Sequence, residues 1–278
     1  MWAYQPSIST GEIYLAAYDP AVPAAEELAS LIRERGPAMV LSGAGMSTES
    51  GIPDFRSAGG LWAQVDPYEV ASIDAFRRDP LHVWRWYGPR VGMLAAAEPN
   101  EGHLALAELE RDGHVTAVAT QNIDALHTRA GSIDVLELHG SIRRFDCLAC
   151  GAVDALSAVL AQLAERPAPL CRACGAILKP GVVMFGELLP VAAMARAERL
   201  CRETGLLLVL GSSLEVWPVA GLPGETLRAG GTVAIVNLGE TPFDRDADLV
   251  VREEIAGVLA EVARILAGHA GPSGPGVL

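Results

Sequence analysis

Four of the five cysteines fall into two pairs, Cys147-x-x-Cys150 and Cys171-x-x-Cys174, with twenty residues between them. Each pair can hold one ion from a tight turn, and four thiolates suit tetrahedral zinc. Gly151 and Gly175 follow the second cysteine of each pair, as a metal-binding knuckle favours. With all four positions taken, the ion would be structural and would leave no place for a reacting group. The competing chemistry is a redox dithiol, against which the matched spacing of the two pairs argues. Cys201 stands among apolar helix positions and reads as a buried small hydrophobe.

A second candidate site is built on glycine. An apolar run over residues 38–41 leads into Gly43-Ala44-Gly45, which can turn sharply and let a ligand approach bare backbone. A helix opening over 46–50 would point free N–H groups at whatever sits over the glycines, which suits a pyrophosphate. As a dinucleotide fingerprint the motif is incomplete, because Thr48 stands where a third glycine would fall. Two further stretches carry groups of catalytic type. In Gln121-Asn122-Ile123-Asp124 amides and a carboxylate at a strand end could hydrogen-bond a ligand, or could cap a helix. His139, in Leu138-His139-Gly140-Ser141, could take a proton near neutral pH. His82, His103, His114 and His269 read as structural.

The elements that must position these residues follow from hydrophobic period and punctuation. A helix starts at Pro23 and stops at Gly36-Pro37, and a buried strand follows over 38–41. Residues 58–98 hold Trp62, Tyr68, Phe76, Trp84, Trp86 and Tyr87 without a strand pattern, and read as a helical insertion. A helix over 100–111 leads to strands over 115–119 and 135–138. Past the cysteine segment come a helix over 191–203 and a strand over 206–210, then a helix over 219–228 and a strand over 233–236. A short strand over 248–251 and a helix over 255–266 complete the pattern. Strands alternating with helices imply an α/β fold, a Rossmann-like doubly wound parallel sheet with a smaller inserted lobe. In such sheets ligands bind outside the carboxyl ends of strands. Gly43, Gln121, His139, Gly211 and Asn237 all fall at such ends.

The expected organisation is an N-terminal extension over 1–22 and one catalytic domain over 23–267, followed by a disordered tail over 268–278. The large part takes 23–57, 99–142 and 179–267; the small lobe takes the helical insertion 58–98 and the zinc ribbon 143–178. Half of the 278 residues are apolar, enough for a sizeable core. A net charge of −13 disfavours a nucleic-acid partner and suits basic, lysine-bearing substrates. Lys179 is the only lysine; every other basic side chain is arginine. The N-terminus lacks a signal-peptide pattern and no run is long enough to span a membrane, so with reduced cysteines a cytoplasmic location is expected.

In combination these motifs resemble the sirtuins, the NAD-dependent protein deacylases. The resemblance runs in family order through 43–57, Gln121 to His127, His139-Gly140, the paired cysteines, 179–187, Gly211-Ser212-Ser213 and Asn237, and covers residues 24–266. It implies that NAD is a co-substrate bound across the sheet crevice, and that an acyl-lysine peptide enters between the large part and the zinc lobe. The acyl oxygen would attack the anomeric carbon of the ribose as nicotinamide leaves. His139 would act as base for a ribose hydroxyl, giving free lysine and O-acyl-ADP-ribose. By matching position, Gly43, Ala44, Gly45, Ser47, Asp54, Phe55, Arg56, Gln121, Asn122, Ile123 and Asp124 would serve NAD binding and cleavage. Gly211, Ser212, Ser213, Asn237, Leu238 and Ile255 would hold the adenosine half. Glu253-Glu254-Ile255 departs from the family, which commonly has a small residue there. Val183, Phe185, Gly186, Glu187 and Val216 would line the peptide, pairing with its backbone as a strand.

Tyr87-Gly88-Pro89-Arg90 resembles the Tyr-x-x-Arg signature of sirtuins that remove succinyl, malonyl or glutaryl groups, and Ala58-Gly59-Gly60 is small as in that subgroup. A phenol and a guanidinium three residues apart can share a helix face and grip a carboxylate, although Gly-Pro between them interrupts helical geometry. The bland alternative is a Tyr in the aromatic packing and a solvated Arg. Two other functions fit the same scaffold: an ADP-ribosyltransferase or NAD hydrolase, and a catalytically idle NAD-sensing module. Targets and oligomeric state are not legible.

Overall fold

A computed structural model of the chain describes residues 21–268 apart from 58 and 64. The extension up to residue 20, the tail from His269 onward and Ala58 lie outside the described residues.

Helix α1 (Ala21–Arg35) enters strand β1 (Ala38–Ser42), all of which is buried. Strand β2 (Val115–Thr120) pairs parallel with β1 on one side, and β3 (Val135–Glu137) adds to β2. On the other side of β1 come β7 (Leu206–Leu210), β8 (Thr232–Val236) and β9 (Leu249–Val251). The order β3-β2-β1-β7-β8-β9 reverses direction at β1, so the crevice between the ends of β1 and β7 is the topological switch point. Burial on both faces explains why β1, β7 and β8 read as continuous apolar runs.

Helices α1, α5 (Glu101–Arg111) and α10 (Ile255–Ala267) cover one face, around Leu28, Leu106 and Leu259. Helices α8 (Val191–Glu203) and α9 (Leu222–Arg228) cover the other, where Cys201 packs against Met39 as expected of a buried hydrophobe. The helix expected over 219–228 is in fact a 3₁₀ turn, Val219–Gly221, followed by α9.

The small lobe is built from α2 (Pro67–Val70), α3 (Ile73–Arg78) and α4 (Pro80–Ala96) together with the cysteine segment. That segment holds an antiparallel sheet the sequence did not announce, β4 (Gly140–Asp146) between β5 (Val153–Ala155) and β6 (Lys179–Val182), with α7 (Leu156–Leu163) beside it. Charged residues inside β4 hide its period, and its pairing with β6 is non-local. Because β4 starts at Gly140 and pairs with Val182, the antiparallel sheet reaches into both stretches assigned to the large part. Trp84, fully buried, ties the lobe together by donating from Nε1 to the Leu178 carbonyl at 2.7 Å.

Helix α4 runs without interruption through Pro89, contrary to the break expected there. Proline removes the one N–H that would bond the Arg85 carbonyl, and one turn on the guanidinium of Arg90 donates to the Trp86 carbonyl at 2.6 Å. Tyr87 and Arg90 therefore do share a helical face.

Candidate active site and metal centre

The turn after β1 is shaped by its neighbour as much as by any ligand. A β-carbon on Gly43 would lie 2.7 Å from the Gly211 carbonyl oxygen, and one on Gly45 would lie 2.8 Å from the Gly211 α-carbon. Gly211, at φ +64°, could carry a β-carbon only 2.4 Å from the Met46 nitrogen. Three glycines thus let the loops after β1 and β7 cross backbone against backbone. The expected helix over 46–50 is a 3₁₀ segment, Ala44–Ser50, closed by left-handed Gly51. Two N–H groups of this turn are used internally: Gly45 donates to Gly211 and Met46 to Gly43. The anion cradle of an ordinary helix start is correspondingly reduced.

Polar side chains from three strand ends meet beside this crossing. Asn122 Nδ2 donates to the Gly43 carbonyl at 2.9 Å and to Ser47 Oγ at 3.1 Å. Ser47 Oγ in turn donates to Asp124 Oδ2 at 2.7 Å. The other Asp124 oxygen accepts the Leu126 N–H at 2.9 Å at the start of α6 (Leu126–Ala130), whose N-cap position is Ala125. Burial raises the Asp124 pKa, and these two donors oppose the rise. Gln121 Nε2 reaches across from β2 to Ser212 Oγ at 2.8 Å.

His139 sits where the chain leaves the parallel sheet for β4. Leu138 donates to the Thr120 carbonyl, Val183 donates to the His139 carbonyl, and Gly140 is left-handed at φ +76°. His139 Nδ1 lies 3.1 Å from the Gln121 carbonyl oxygen, which can only accept, so Nδ1 carries the hydrogen and Nε2 is a free base. Burial lowers the pKa below its ordinary value of 6.5, and the bond to Gln121 opposes that only in part. At neutral pH the imidazole is uncharged and ready to accept a proton.

A buried chain of hydroxyls underlies these groups. His127 Nε2 lies 2.8 Å from Ser42 Oγ, which donates to Thr120 Oγ1 at 2.8 Å, which accepts the Asn122 N–H at 3.0 Å. Sequence reasoning passed over Ser42 and Thr120. The available signal was a hydroxyl closing each of two adjacent buried strands.

The family model described as Sir2 family matches residues 43–218. An NAD-dependent protein deacetylase of Sulfolobus acidocaldarius is 46% identical over 240 residues, 86% of this chain and 93% of its own length. NAD-dependent protein deacylase 1 of Archaeoglobus fulgidus is 42% identical over 241 residues, 86% of this chain and 96% of its own length. The chain belongs to the Sir2 family. Its fold is also similar to a Sir2 protein solved with a deacetylated p53 peptide and 3'-O-acetyl ADP ribose, at a TM-score of 0.83 and 40% identity, covering 86% of this chain and 97% of that one.

The remaining sirtuin positions spread around the same crevice. Asp54 Oδ1 accepts the N–H groups of Arg56 and Ser57 at 3.1 and 2.9 Å, a turn that places Phe55 against Trp62 at 5.0 Å. Gly60 is required by this turn, since its β-carbon would lie 2.6 Å from the Phe55 carbonyl carbon. Arg56 Nε pairs with Glu215 Oε2 at 2.7 Å, joining the two loops that flank the crevice; no motif pointed to Glu215. At the β8 end, the Asn237 carbonyl accepts from Arg252 at 2.7 Å, and Leu238 is exposed while Ser213 is half-buried. Ile255 is buried in the core beside α1 and α5, so its side chain is engaged in packing. Ile123 and Val216 are half-buried at the ends of their loops.

Among the positions expected to line a peptide, Phe185 donates to the Ala71 carbonyl at 2.9 Å and accepts from Ile73 at 3.0 Å, and its ring lies 5.1 Å from Tyr68. Gly186 is left-handed at φ +89°. Tyr87 is buried, and burial together with the nearby Glu187 charge pushes its phenol well above the usual range. The Arg90 guanidinium stacks 4.0 Å over the Trp86 ring. Among the described residues, Arg90 Nε and Trp86 Nε1 are buried donors without an acceptor.

The four sirtuin cysteines converge as expected. Their sulfur atoms all lie within 4.8 Å of one another, with Cys147 and Cys174 at 3.5 Å and Cys150 and Cys171 at 3.7 Å. Zinc–thiolate bonds of about 2.3 Å in a tetrahedron put sulfurs about 3.8 Å apart, so the thiols fit one zinc ion. Gly151 and Gly175, at φ +76° and +79°, donate back to the Cys147 and Cys171 carbonyls and close the two knuckles. With all four ligands from protein, the ion would be structural, joining the turn between β4 and β5 to the turn that precedes β6. Among the described residues no helix is long and apolar enough to cross a membrane.

Proposed function

We propose that this chain is an NAD-dependent protein-lysine deacylase that moves the acyl group to ADP-ribose, releases nicotinamide, and favours acyl groups ending in a carboxylate. The free Nε2 of His139 carries the reading. It belongs to a neutral imidazole held by the Gln121 carbonyl, at the junction of the NAD crevice and the segment that would receive the peptide. NAD supplies the electrophilic anomeric carbon when bound. Asn122, locked by Gly43 and Ser47, keeps its carbonyl oxygen for the carboxamide, and Gln121 and Ser212 brace the crevice between β2 and β7. His139 Nε2 takes the proton of the ribose hydroxyl, which makes that oxygen a nucleophile.

The acidic-acyl preference rests on α4. Tyr87 and Arg90 lie one helical turn apart beside each other, and the buried Arg90 Nε and Trp86 Nε1 are donors short of an acceptor. An acyl carboxylate would complete them; an acetyl group would leave them unmatched. A panel of acetyl-, malonyl-, succinyl- and glutaryl-lysine peptides with NAD tests both parts, read by mass spectrometry. The expected product is O-acyl-ADP-ribose, formed fastest from the acidic peptides. Free or protein-bound ADP-ribose in its place would mark a hydrolase or ADP-ribosyltransferase, and faster turnover of acetyl would remove the preference.

A further inference from the structure

The chain's only lysine is buried in the wall of the peptide side. Lys179 opens β6 and is 4% exposed. Its ammonium donates to the Pro180 carbonyl at 3.0 Å, the Val182 carbonyl at 2.7 Å and Glu187 Oε2 at 2.9 Å. Three acceptors match its three N–H groups, and the carboxylate matches its charge. The same Glu187 oxygen accepts the Met184 N–H at 2.9 Å. The stretch from 179 to 187 therefore closes on one ion pair, with the lysine buried and the Glu187 side chain 26% exposed.

Residues 183–186 run inside this closed stretch. Their N-terminal end is fixed to the catalytic histidine, because Val183 donates to the His139 carbonyl at 2.8 Å. Their C-terminal end is fixed to the small lobe, because Phe185 bonds both Ala71 and Ile73. A fully exposed pair would add little here; because the Lys179 ammonium is buried, losing its carboxylate would leave an uncompensated charge, so the pair can enforce a geometry.

We propose that Lys179 and Glu187 are a positioning pair for the acylated peptide. Their ion pair holds 183–186 in the register that receives the substrate main chain, and the Val183–His139 bond ties that register to the imidazole. The inference rests on the deacylase reading above and goes beyond it in giving the ion pair a task.

The test compares the wild type with Lys179→Met and Lys179→Arg, using NAD and the best peptide of the panel. Lys179→Met is expected to raise the peptide KM about tenfold or more, with kcat and the KM for NAD within about twofold of wild type. Lys179→Arg, which keeps a cation opposite Glu187, recovers most of that loss. An unchanged peptide KM, or equal losses for both substrates, overturns the proposal. If Lys179→Met does not fold, the wild type decides, because lysine-specific 15N labelling of a chain with one lysine gives one Nζ resonance. Saturating acyl-peptide should shift that resonance and NAD alone should not; a resonance indifferent to peptide overturns the proposal. Absence of any turnover by the wild type would instead count against the deacylase reading itself.

Discussion

At the residue scale, the proposed reaction depends on one nitrogen being unprotonated. His139 has its pKa below 6.5, so its neutral form is full at pH 7 and is lost only as pH falls through that lowered value. The kcat of the wild type should decline on the acid side, with the limb centred below pH 6.5. His139→Phe should lose about 10²–10⁴-fold in turnover with the fold intact. An acid limb centred above 6.5 would assign the base elsewhere. Arg90 gives a second residue-scale prediction. Arg90→Met should raise KM for a succinyl-peptide by on the order of 1–3 kcal/mol of binding while sparing the acetyl-peptide. Equal losses on both would return Arg90 to a packing role on Trp86.

Two elements hold these residues in place. The first is the crossing of the loops after β1 and β7. Gly211→Ala adds a β-carbon 2.4 Å from the Met46 nitrogen at a left-handed φ, so the backbones must separate. A loss of about 2–4 kcal/mol in urea unfolding is expected, together with weaker NAD binding. Unchanged stability would show that the crossing can relax. The second element is the zinc lobe. Its four thiols gather the two turns that flank a three-stranded sheet whose β4 begins at the residue after His139. Chelation of the metal should lower Tm and abolish peptide turnover together, since a structural ion contributes on the order of 10 kcal/mol to folding. Full activity in metal-free protein would sever the lobe from catalysis.

At the scale of the whole molecule, a buried histidine pair makes stability depend on pH. His103 and His127 lie with ring centroids 4.8 Å apart, between α5 and α6. The Asn100 amide nitrogen is spent on the Met46 carbonyl, so its oxygen accepts from His103 Nδ1 at 2.9 Å. Burial lowers the His103 pKa to about 4 and, with the neighbouring His103, lowers that of His127 to about 3. In the unfolded chain both sit near 6.5, so the unfolded state binds more protons at any pH between these limits. Their contribution to stability is complete above pH 6.5 and is lost as pH falls toward 4 and then 3. The urea midpoint should therefore drop between pH 7 and pH 5, and drop less in His127→Gln. A midpoint constant over that interval would mean that the pair is already solvated.

Much of this molecule is local in origin and so was open to reading from the chain alone. The cysteine pairs, the helix bounds of α8 and the strand bounds of β7 depend on spacing and period, which the sequence states directly. The crevice followed from a rule about strand ends, and the folded chain brings His139 against Gln121 and Asn122 against Gly43 there. Contacts between distant segments were not open in this way. The pairing of β4 with β6, the Arg56–Glu215 bridge and the Ser42–Thr120–Asn122 chain join residues whose separation no periodicity encodes. Even the glycines of the first turn changed meaning. Alone they promise an open backbone for a ligand, and only the approach of Gly211 shows that another strand's loop already occupies that space. Residue type decided which chemistry was possible; packing decided which nitrogen is bare, which carboxylate is spent and which lysine is enclosed.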